Sequence, residues 1–306
     1  MTRATADLLL LAAALIWGLA FVGQATAMDH MGPLTFSGAR FLMAALVVTP
    51  FAIAESRRNL PAIPAKRLWQ IVGIGFAFFL GVALQQTALL TTSVSNAGFL
   101  TALYVVMVPA LAFVVTKLKP VSETDKEHAK LHAAIWPAAA LSLIGTFLLG
   151  GGSIAGLNTG DWLIILGAFF WAIQILALGW LAYDLRRPMV ISLIQFVVVA
   201  ALGLAAGFVL EAPTWAGVAG AWKELLYTGI ISGGLAFTLQ SVAQAHTPAS
   251  DAAIILSAEG LFAAAFGALL LGERMTLAGW AGAGCVLAAV LIVQLGPLVR
   301  RRPQAF

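Results

Sequence analysis

A few side chains in long apolar runs have chemistry that such runs normally exclude. The stretch ILSAEGLF, residues 255–262, holds Ser257 and the carboxylate of Glu259 among apolar neighbours. Trp17 and Trp171 lie halfway along apolar runs, 154 residues apart, in the similar contexts ALIWGLAF and AFFWAIQI. A carboxylate can bind a cationic group or carry a proton, and an indole ring can form the wall of an apolar site. These residues are the first candidates for a binding site.

The composition places these candidates in lipid. Of 306 residues, 61% are hydrophobic and 10% are charged, whereas soluble domains carry about 25% charged residues. The net charge of +4 comes from basic residues scattered over short connections, which gives no reason to expect a nucleic acid partner. The lone Cys285 lies in an apolar run, cannot form an internal disulfide, and is expected to be a packed, inert thiol.

Apolar runs of about 20 residues, the length that crosses a bilayer, recur ten times. We number them spans 1 to 10 in chain order. They are predicted at 8–27, 34–54, 68–90, 94–116, 132–150, 160–182, 188–210, 223–245, 249–271 and 277–296.

Basic residues in the connections predict the orientation, because lysine and arginine concentrate on the cytoplasmic side. Lys223 and Arg274 lie on one side, and Arg40 lies inside span 2. The other fourteen of the 17 basic residues share the opposite side, so both termini are predicted to face the cytoplasm. These fourteen are Arg3, Arg57, Arg58, Lys66, Arg67, Lys117, Lys119, Lys126, Lys130, Arg186, Arg187, Arg300, Arg301 and Arg302.

The two halves of the chain repeat each other. PLTFSGARF (33–41) aligns with PMVISLIQF (188–196), and the same offset of 155 pairs Gln85 with Gln240 and Asn96 with Asp251. The sequence thus predicts two five-span units, 8–150 and 160–296. Since five is odd, the second unit enters the membrane from the opposite face. Such inverted repeats are typical of transporters that bind substrate near the midplane between the halves.

The motifs resemble the EamA-type repeats of the bacterial drug/metabolite transporter superfamily. They are ALIWGLAF, PLTFSGARF, SNAGFLTALYVVMVP and ILSAEGLFAAAFGALLLGERMT, and the resemblance covers about 8–296. It implies a ten-helix transporter with both termini inside and a cavity lined chiefly by spans 1, 3, 4, 6, 8 and 9. The known substrates of that superfamily include amino acids, sugars, purines, drugs and other metabolites. The chain looks most like the branch that includes the YddG-type aromatic amino acid exporters.

Midspan polar and aromatic residues form the predicted substrate cavity. The set is Trp17, Gln85, Tyr104, Trp171, Gln174, Gln240, Ser257 and Glu259. Two interpretations stay open for the tryptophans, which either pack between the halves or form aromatic walls. The glutamines either hydrogen-bond between helices, which is the more common role, or contact the substrate and gates.

Glu259 has three open interpretations, since lipid exposure of a carboxylate is too costly. It is a structural acid with a neighbouring donor, a ligand for a substrate ammonium group, or a proton carrier between access states. The two functional roles together are favoured. Arg40 could bind a substrate carboxylate, but snorkelling or pairing within the protein is the favoured interpretation.

Asn96 and Asp251 each follow a short turn at the start of a span. Helix capping is favoured for both, with substrate binding or gating as the alternative. Pro109, inside span 4, can permit a kink.

Other classes of function lack their signatures. A membrane-embedded enzyme needs a nucleophile with its base, paired aspartates or a histidine-bound metal, and the spans hold no such set. A channel needs rings of like groups, which a monomer with twofold pseudosymmetry does not supply. We therefore predict no enzyme, cofactor or metal, but a multi-pass secondary transporter in the bacterial inner membrane. It would export amino acids, aromatic ones included, by alternating access, with drugs, purines or sugars as the alternative substrates. A monomer suffices for this mechanism, and oligomers are possible.

Overall fold

The computed structural model describes residues 1–58, 61–118, 135–149, 157–272, 274 and 276–299. Within these ranges the chain is helical, and eight spans are long and apolar enough to cross a membrane. Two further apolar helices correspond to spans 5 and 10. The predicted all-α membrane fold is therefore confirmed.

Seven of the spans are single helices. They are Arg3–Thr26 (span 1), Pro33–Ser56 (span 2), Ala65–Ala88 (span 3), Ile135–Leu149 (span 5), Thr159–Leu185 (span 6), Pro188–Leu210 (span 7) and Leu277–Val299 (span 10). Span 1 starts five residues before its predicted limit, because the Thr2 side chain accepts a hydrogen bond from the Thr5 amide and caps the first turn. Apolarity alone does not mark such polar first turns.

Three spans consist of more than one helical segment. Span 4 consists of Val94–Thr101 and Tyr104–Leu118, and span 9 of Ala249–Leu256 and Ala258–Leu271. Span 8 combines Trp222–Leu226, a π-helical segment Tyr227–Ala236, and Phe237–Gln244, and a short helix Trp215–Gly220 precedes it. Discontinuous spans are common around transporter sites. Pro109 lies inside the second helix of span 4 rather than at its break.

The packing partners of the two halves mirror each other. Span 1 lies against spans 8 and 9, and span 6 lies against spans 3 and 4. Span 2 packs against its counterpart, span 7, and span 5 packs against its counterpart, span 10. An exchange of partners of this kind is expected when a twofold axis relates two copies of one unit.

Small residues allow spans 2 and 7 to approach closely. A Cβ atom at Gly203 would lie 2.8 Å from the amide nitrogen of Gly38, and one at Gly207 would lie 2.8 Å from the Thr35 amide nitrogen. No larger residue fits either position without moving the backbone. These two glycines form a G-x-x-x-G, the small-residue spacing that lets membrane helices pack closely.

Each end of this pair is fastened by a glutamate from the partner helix. Glu211, just after span 7, accepts hydrogen bonds of 2.8 Å from the Leu34 and Thr35 amides at the start of span 2. Glu55, near the end of span 2, accepts one of 2.9 Å from the Val190 amide at the start of span 7. A carboxylate at a helix N-terminus satisfies free amides and interacts favourably with the helix dipole. The two helices are therefore joined by hydrogen bonds at both ends.

Some predictions fall outside the described residues. The basic connection with Lys119, Lys126 and Lys130 lies there, as do Arg300 to Arg302 at the chain end. The unit limits 8–150 and 160–296 and the cytoplasmic side of the termini stay predictions.

Candidate functional site

A central cavity lies between the two halves and receives residues from both. Spans 1 to 4 contribute Trp17, Phe21, Gln24, Arg40, Gln85, Thr101 and Tyr104, and spans 6, 8 and 9 contribute Trp171, Ile175, Ser232, Phe237, Gln240 and Glu259. Six of the eight predicted residues thus line one space. Span 2 joins the spans that the resemblance implied.

Aromatic rings form one wall of the cavity. The Phe237 ring lies between the two tryptophans, with its centroid 4.5 Å from that of Trp17 and 5.9 Å from that of Trp171, to which it is parallel. The indole nitrogen of Trp17 donates to the Ser232 carbonyl at 3.2 Å, and that of Trp171 donates to Gln85 Oε1 at 3.0 Å. Both indoles are therefore held with their polar edges satisfied, and both line the cavity.

Glu259 is buried and has a specific donor. The Tyr104 hydroxyl donates to Glu259 Oε1 at 2.8 Å, and the two side chains are 2% and 5% exposed. These residues are 155 positions apart, so they occupy equivalent places in the two halves. Phe41 and Phe196, also 155 apart, have ring centroids at 5.6 Å. Equivalent positions can touch only near the axis that relates the halves, so that axis passes by the cavity.

The glutamines leave acceptor atoms unused. Gln240 donates to Gln174 Oε1 at 3.4 Å, while the buried Oε1 atoms of Gln240 and Gln24 have no hydrogen-bond partner among the described residues. Both side chains line the cavity. A ligand with N–H or O–H groups could satisfy these acceptors.

Gln174 and Ser257 do not line the cavity, contrary to the prediction. Gln174 sits behind Gln240 and donates to Gln195 Oε1 at 3.2 Å, so its amide hydrogen-bonds between spans 6 and 7. Ser257 lies at the break of span 9, where its hydroxyl bonds to Ser142 at 2.8 Å and to the Ile254 carbonyl at 2.6 Å. Gln174 thus supports Gln240, which lines the cavity, whereas Ser257 joins span 9 to span 5.

Helix capping does not explain Asn96 or Asp251. Ser93 caps span 4 by accepting from the Asn96 amide, and Pro248, which provides no side-chain cap, precedes span 9. Asp251 instead pairs with Arg3 at the start of span 1. Gating stays a prediction for both residues.

Two symmetric contacts join the halves at opposite ends of the cavity. The Thr247 hydroxyl donates to Asp7 Oδ1 at 2.9 Å, and the Thr92 hydroxyl donates to Asp161 Oδ1. Asp7 and Asp161 start spans 1 and 6, while Thr92 and Thr247 follow spans 3 and 8, again at offsets of 154 and 155. We call these contacts the two end closures. Sequence reasoning missed them, although the repeat register pairs all four positions.

Arg40 is buried rather than snorkelled. Its side chain is 3% exposed, and its guanidinium carbon lies 4.9 Å from the ring centroid of Phe41 and 5.7 Å from that of Phe36. The snorkelling interpretation is wrong, because the packing of span 2 against spans 7 and 8 covers the side chain. A hydropathy pattern indicates the depth of Arg40 in its span but not which way it faces.

This arrangement is that of a membrane carrier: two similar halves, a central cavity with aromatic and polar walls, and inter-half contacts at both ends. The EamA-like transporter family model matches residues 4–123 and 158–295, and the chain belongs to that family. It is a secondary transporter and not an enzyme.

A curated protein and a solved structure are similar to this chain. An uncharacterized transporter of Archaeoglobus fulgidus is 32% identical over 303 residues, which cover 96% of this chain and 87% of the relative. A solved crystal structure, at 17% identity, covers 99% of this chain and 100% of its own with a TM-score of 0.75. That second likeness concerns the fold alone.

Proposed function

We propose that the protein exports amino acids, aromatic ones included, from the cell by alternating access. The observation that carries the proposal is the cavity itself, which two tryptophan rings and the buried Glu259 carboxylate line together between the halves. An aromatic amino acid presents an apolar ring and an ammonium group, which suit these two walls.

Glu259 would bind the ammonium group in this account. In the present conformation its Oε1 atom accepts from Tyr104 at 2.8 Å, so a neutral donor stabilises the carboxylate while no cation is bound. A substrate ammonium group would make a stronger, charge-assisted hydrogen bond with the same carboxylate. Gly260, next to Glu259, lets span 9 lie close against span 4, because a Cβ there would lie 3.1 Å from the Gly98 carbonyl oxygen.

The end closures would serve as gates. Both are formed here, so span 1 is tied to the other half at one end of the cavity and span 6 at the other end. Alternating access would then break one closure at a time, while the span 2–7 pair, fastened at both of its ends, stays intact.

The orientation and location belong to the same proposal. The basic residues concentrated on one side support cytoplasmic termini in a bacterial inner membrane. The outward direction rests on the resemblance to amino acid exporters.

Counterflow in proteoliposomes tests the proposal. Vesicles loaded with unlabelled L-tryptophan should take up external radiolabelled L-tryptophan faster than protein-free vesicles or vesicles loaded with glucose. Parallel assays with leucine, adenine and glucose define the class. Counterflow of adenine or glucose, with none for any amino acid, would contradict the substrate proposal.

A further inference from the structure

Within the described part of the chain, Arg40 lacks the ion pair that the structure gives to Arg3 and Arg67. Arg3 pairs with Asp7 and Asp251, and Arg67 pairs with Asp184 at 2.6 Å. Among the described residues, no carboxylate oxygen lies within 4 Å of a guanidinium nitrogen of Arg40. Arg40 nevertheless lines the central cavity and is 3% exposed.

The surroundings of Arg40 only partly compensate its charge. The rings of Phe36 and Phe41 lie against the guanidinium, and its buried Nε atom has no acceptor among the described residues. Cation–π contacts stabilise a cation by about 0.5–2 kcal/mol. That is less than the several kcal/mol that removing an unpaired ion from water costs. The buried guanidinium of Arg40 would therefore be stabilised by an anionic group that enters the cavity during the transport cycle.

The packing keeps Arg40 at the cavity. A Cβ atom at Gly229, in the π-helical segment of span 8, would lie 3.1 Å from the Arg40 carbonyl oxygen and 3.0 Å from Met43 Cβ. The glycine therefore lets span 8 press directly on span 2 at this residue. π-Helical segments occur frequently at functional sites.

We propose that Arg40 binds the anionic group of the transported substrate, and that this group is a carboxylate. The planar guanidinium matches a carboxylate with two parallel hydrogen bonds. Among the described lining residues, Arg40 is the basic side chain and Glu259 the acidic one. A zwitterion satisfies both, whereas a phosphate dianion would leave a negative excess. The inference deepens the proposed function by adding a second contact to the same site.

Four indole compounds separate the contribution of each group. L-Tryptophan carries both charges, indole-3-propionate only the carboxylate, tryptamine only the ammonium group, and indole-3-propanol neither. Binding of each to purified protein in nanodiscs is measured by calorimetry. The proteins are the wild type, Arg40→Gln, Arg40→Lys and the control Arg57→Gln, which removes an exposed guanidinium just after the same helix.

Arg40→Gln should weaken the binding of L-tryptophan and indole-3-propionate by roughly ten-fold or more, since charge-assisted hydrogen bonds contribute about 1.5–3 kcal/mol. The affinity for tryptamine should change by less than about two-fold. Arg40→Lys should retain part of the carboxylate affinity, because it keeps the charge but loses the fork. Arg57→Gln should match the wild type. Equal losses for tryptamine and indole-3-propionate, or no loss for either, would overturn the proposal.

A second series keeps the two proposals distinguishable. If the wild type binds no indole compound, the aromatic part of the proposed function fails. L-Leucine and isoamylamine, which is leucine without its carboxylate, then test Arg40 in the same way. Arg40-dependent preference for leucine over isoamylamine supports the carboxylate contact, and leucine binding that Arg40→Gln leaves unchanged overturns it. Thermal unfolding of Arg40→Gln shows whether it is folded, and Arg40→Lys provides the comparison if it is not.

Discussion

At the scale of single residues, the site is built from positions that the repeat makes equivalent. Tyr104 and Glu259 are 155 residues apart and hydrogen-bond to each other. One half thus supplies the donor and the other half the acid at the same structural position. The symmetry of the fold brings these side chains together, and the difference between the two sequences makes the position chemically useful.

The residues that the sequence could predict are those that contrast with their neighbours. Glu259, Trp17 and Trp171 stand out in apolar runs and line the cavity. Phe237, between the two indoles, is one of 18 phenylalanines and has no distinguishing local context. The burial of Arg40 depends on how spans 2, 7 and 8 pack, which no local pattern records.

Glu259→Gln tests the acid while keeping its size. The variant should fold, because the carbonyl oxygen of the new amide could still accept from the Tyr104 hydroxyl, but tryptophan transport should fall by roughly ten-fold with the loss of the charge. Rates equal to the wild type would mean that the carboxylate is only structural.

Alanine at Trp17 or Trp171 should reduce transport of tryptophan and phenylalanine more than that of alanine. Each change removes an aromatic wall of the cavity. The free energy of unfolding should fall by less than the roughly 3–5 kcal/mol of a large-to-small change in a packed core. Trp171→Phe is the matched control, because it keeps a ring but loses the hydrogen bond to Gln85. Equal losses for all substrates, with poor folding, would favour packing between the halves as the role of these indoles.

At the scale of helices, hydropathy predicted the spans but not their interruptions. The breaks at residues 102–103 and at Ser257 contain no proline, and both sides of each break are apolar. The π-helical segment contains Gly229, Gly233 and Gly234, which lie against span 2. These departures arise from contacts between spans, so they appear only when the helices are packed.

The two end closures should have opposite effects on access. Thr247→Val removes the hydroxyl that donates to Asp7, and Thr92→Val removes the one that donates to Asp161. A cysteine at Ser232 in the cavity wall, in a Cys285→Ala background, reports access to an impermeant maleimide. Thr247→Val should raise labelling from the side of the termini, and Thr92→Val from the other side. Each variant should raise its labelling rate about ten-fold, because the lost hydrogen bond shifts the conformational equilibrium by about 1.4 kcal/mol.

Each threonine variant is the control for the other, since the two positions are equivalent in the repeat. The same change in labelling from the same side for both variants would show that the closures are not gates.

At the scale of the whole molecule, the repeat and the charge bias together predict the topology. Both termini and the 117–131 connection should be reached only from the cytoplasm. A cysteine introduced at Lys126, which lies outside the described residues, should react with an impermeant reagent in inside-out vesicles and not in intact cells. A cysteine at Lys223 should behave in the opposite way. Labelling of the Lys126 variant in intact cells would reverse the orientation and, with it, the assignment of the two gates.

The central claim is that one cavity holds the substrate and opens in turn to each side of the membrane. The most direct test is protection of the cysteine at Ser232 in the Cys285→Ala background. Its labelling rate is measured from each face, with and without L-tryptophan, in right-side-out and inside-out vesicles. We predict reaction from both faces and protection by the same ligand on both. Reaction from one face only, or no protection by any transported substrate on either face, would contradict the account.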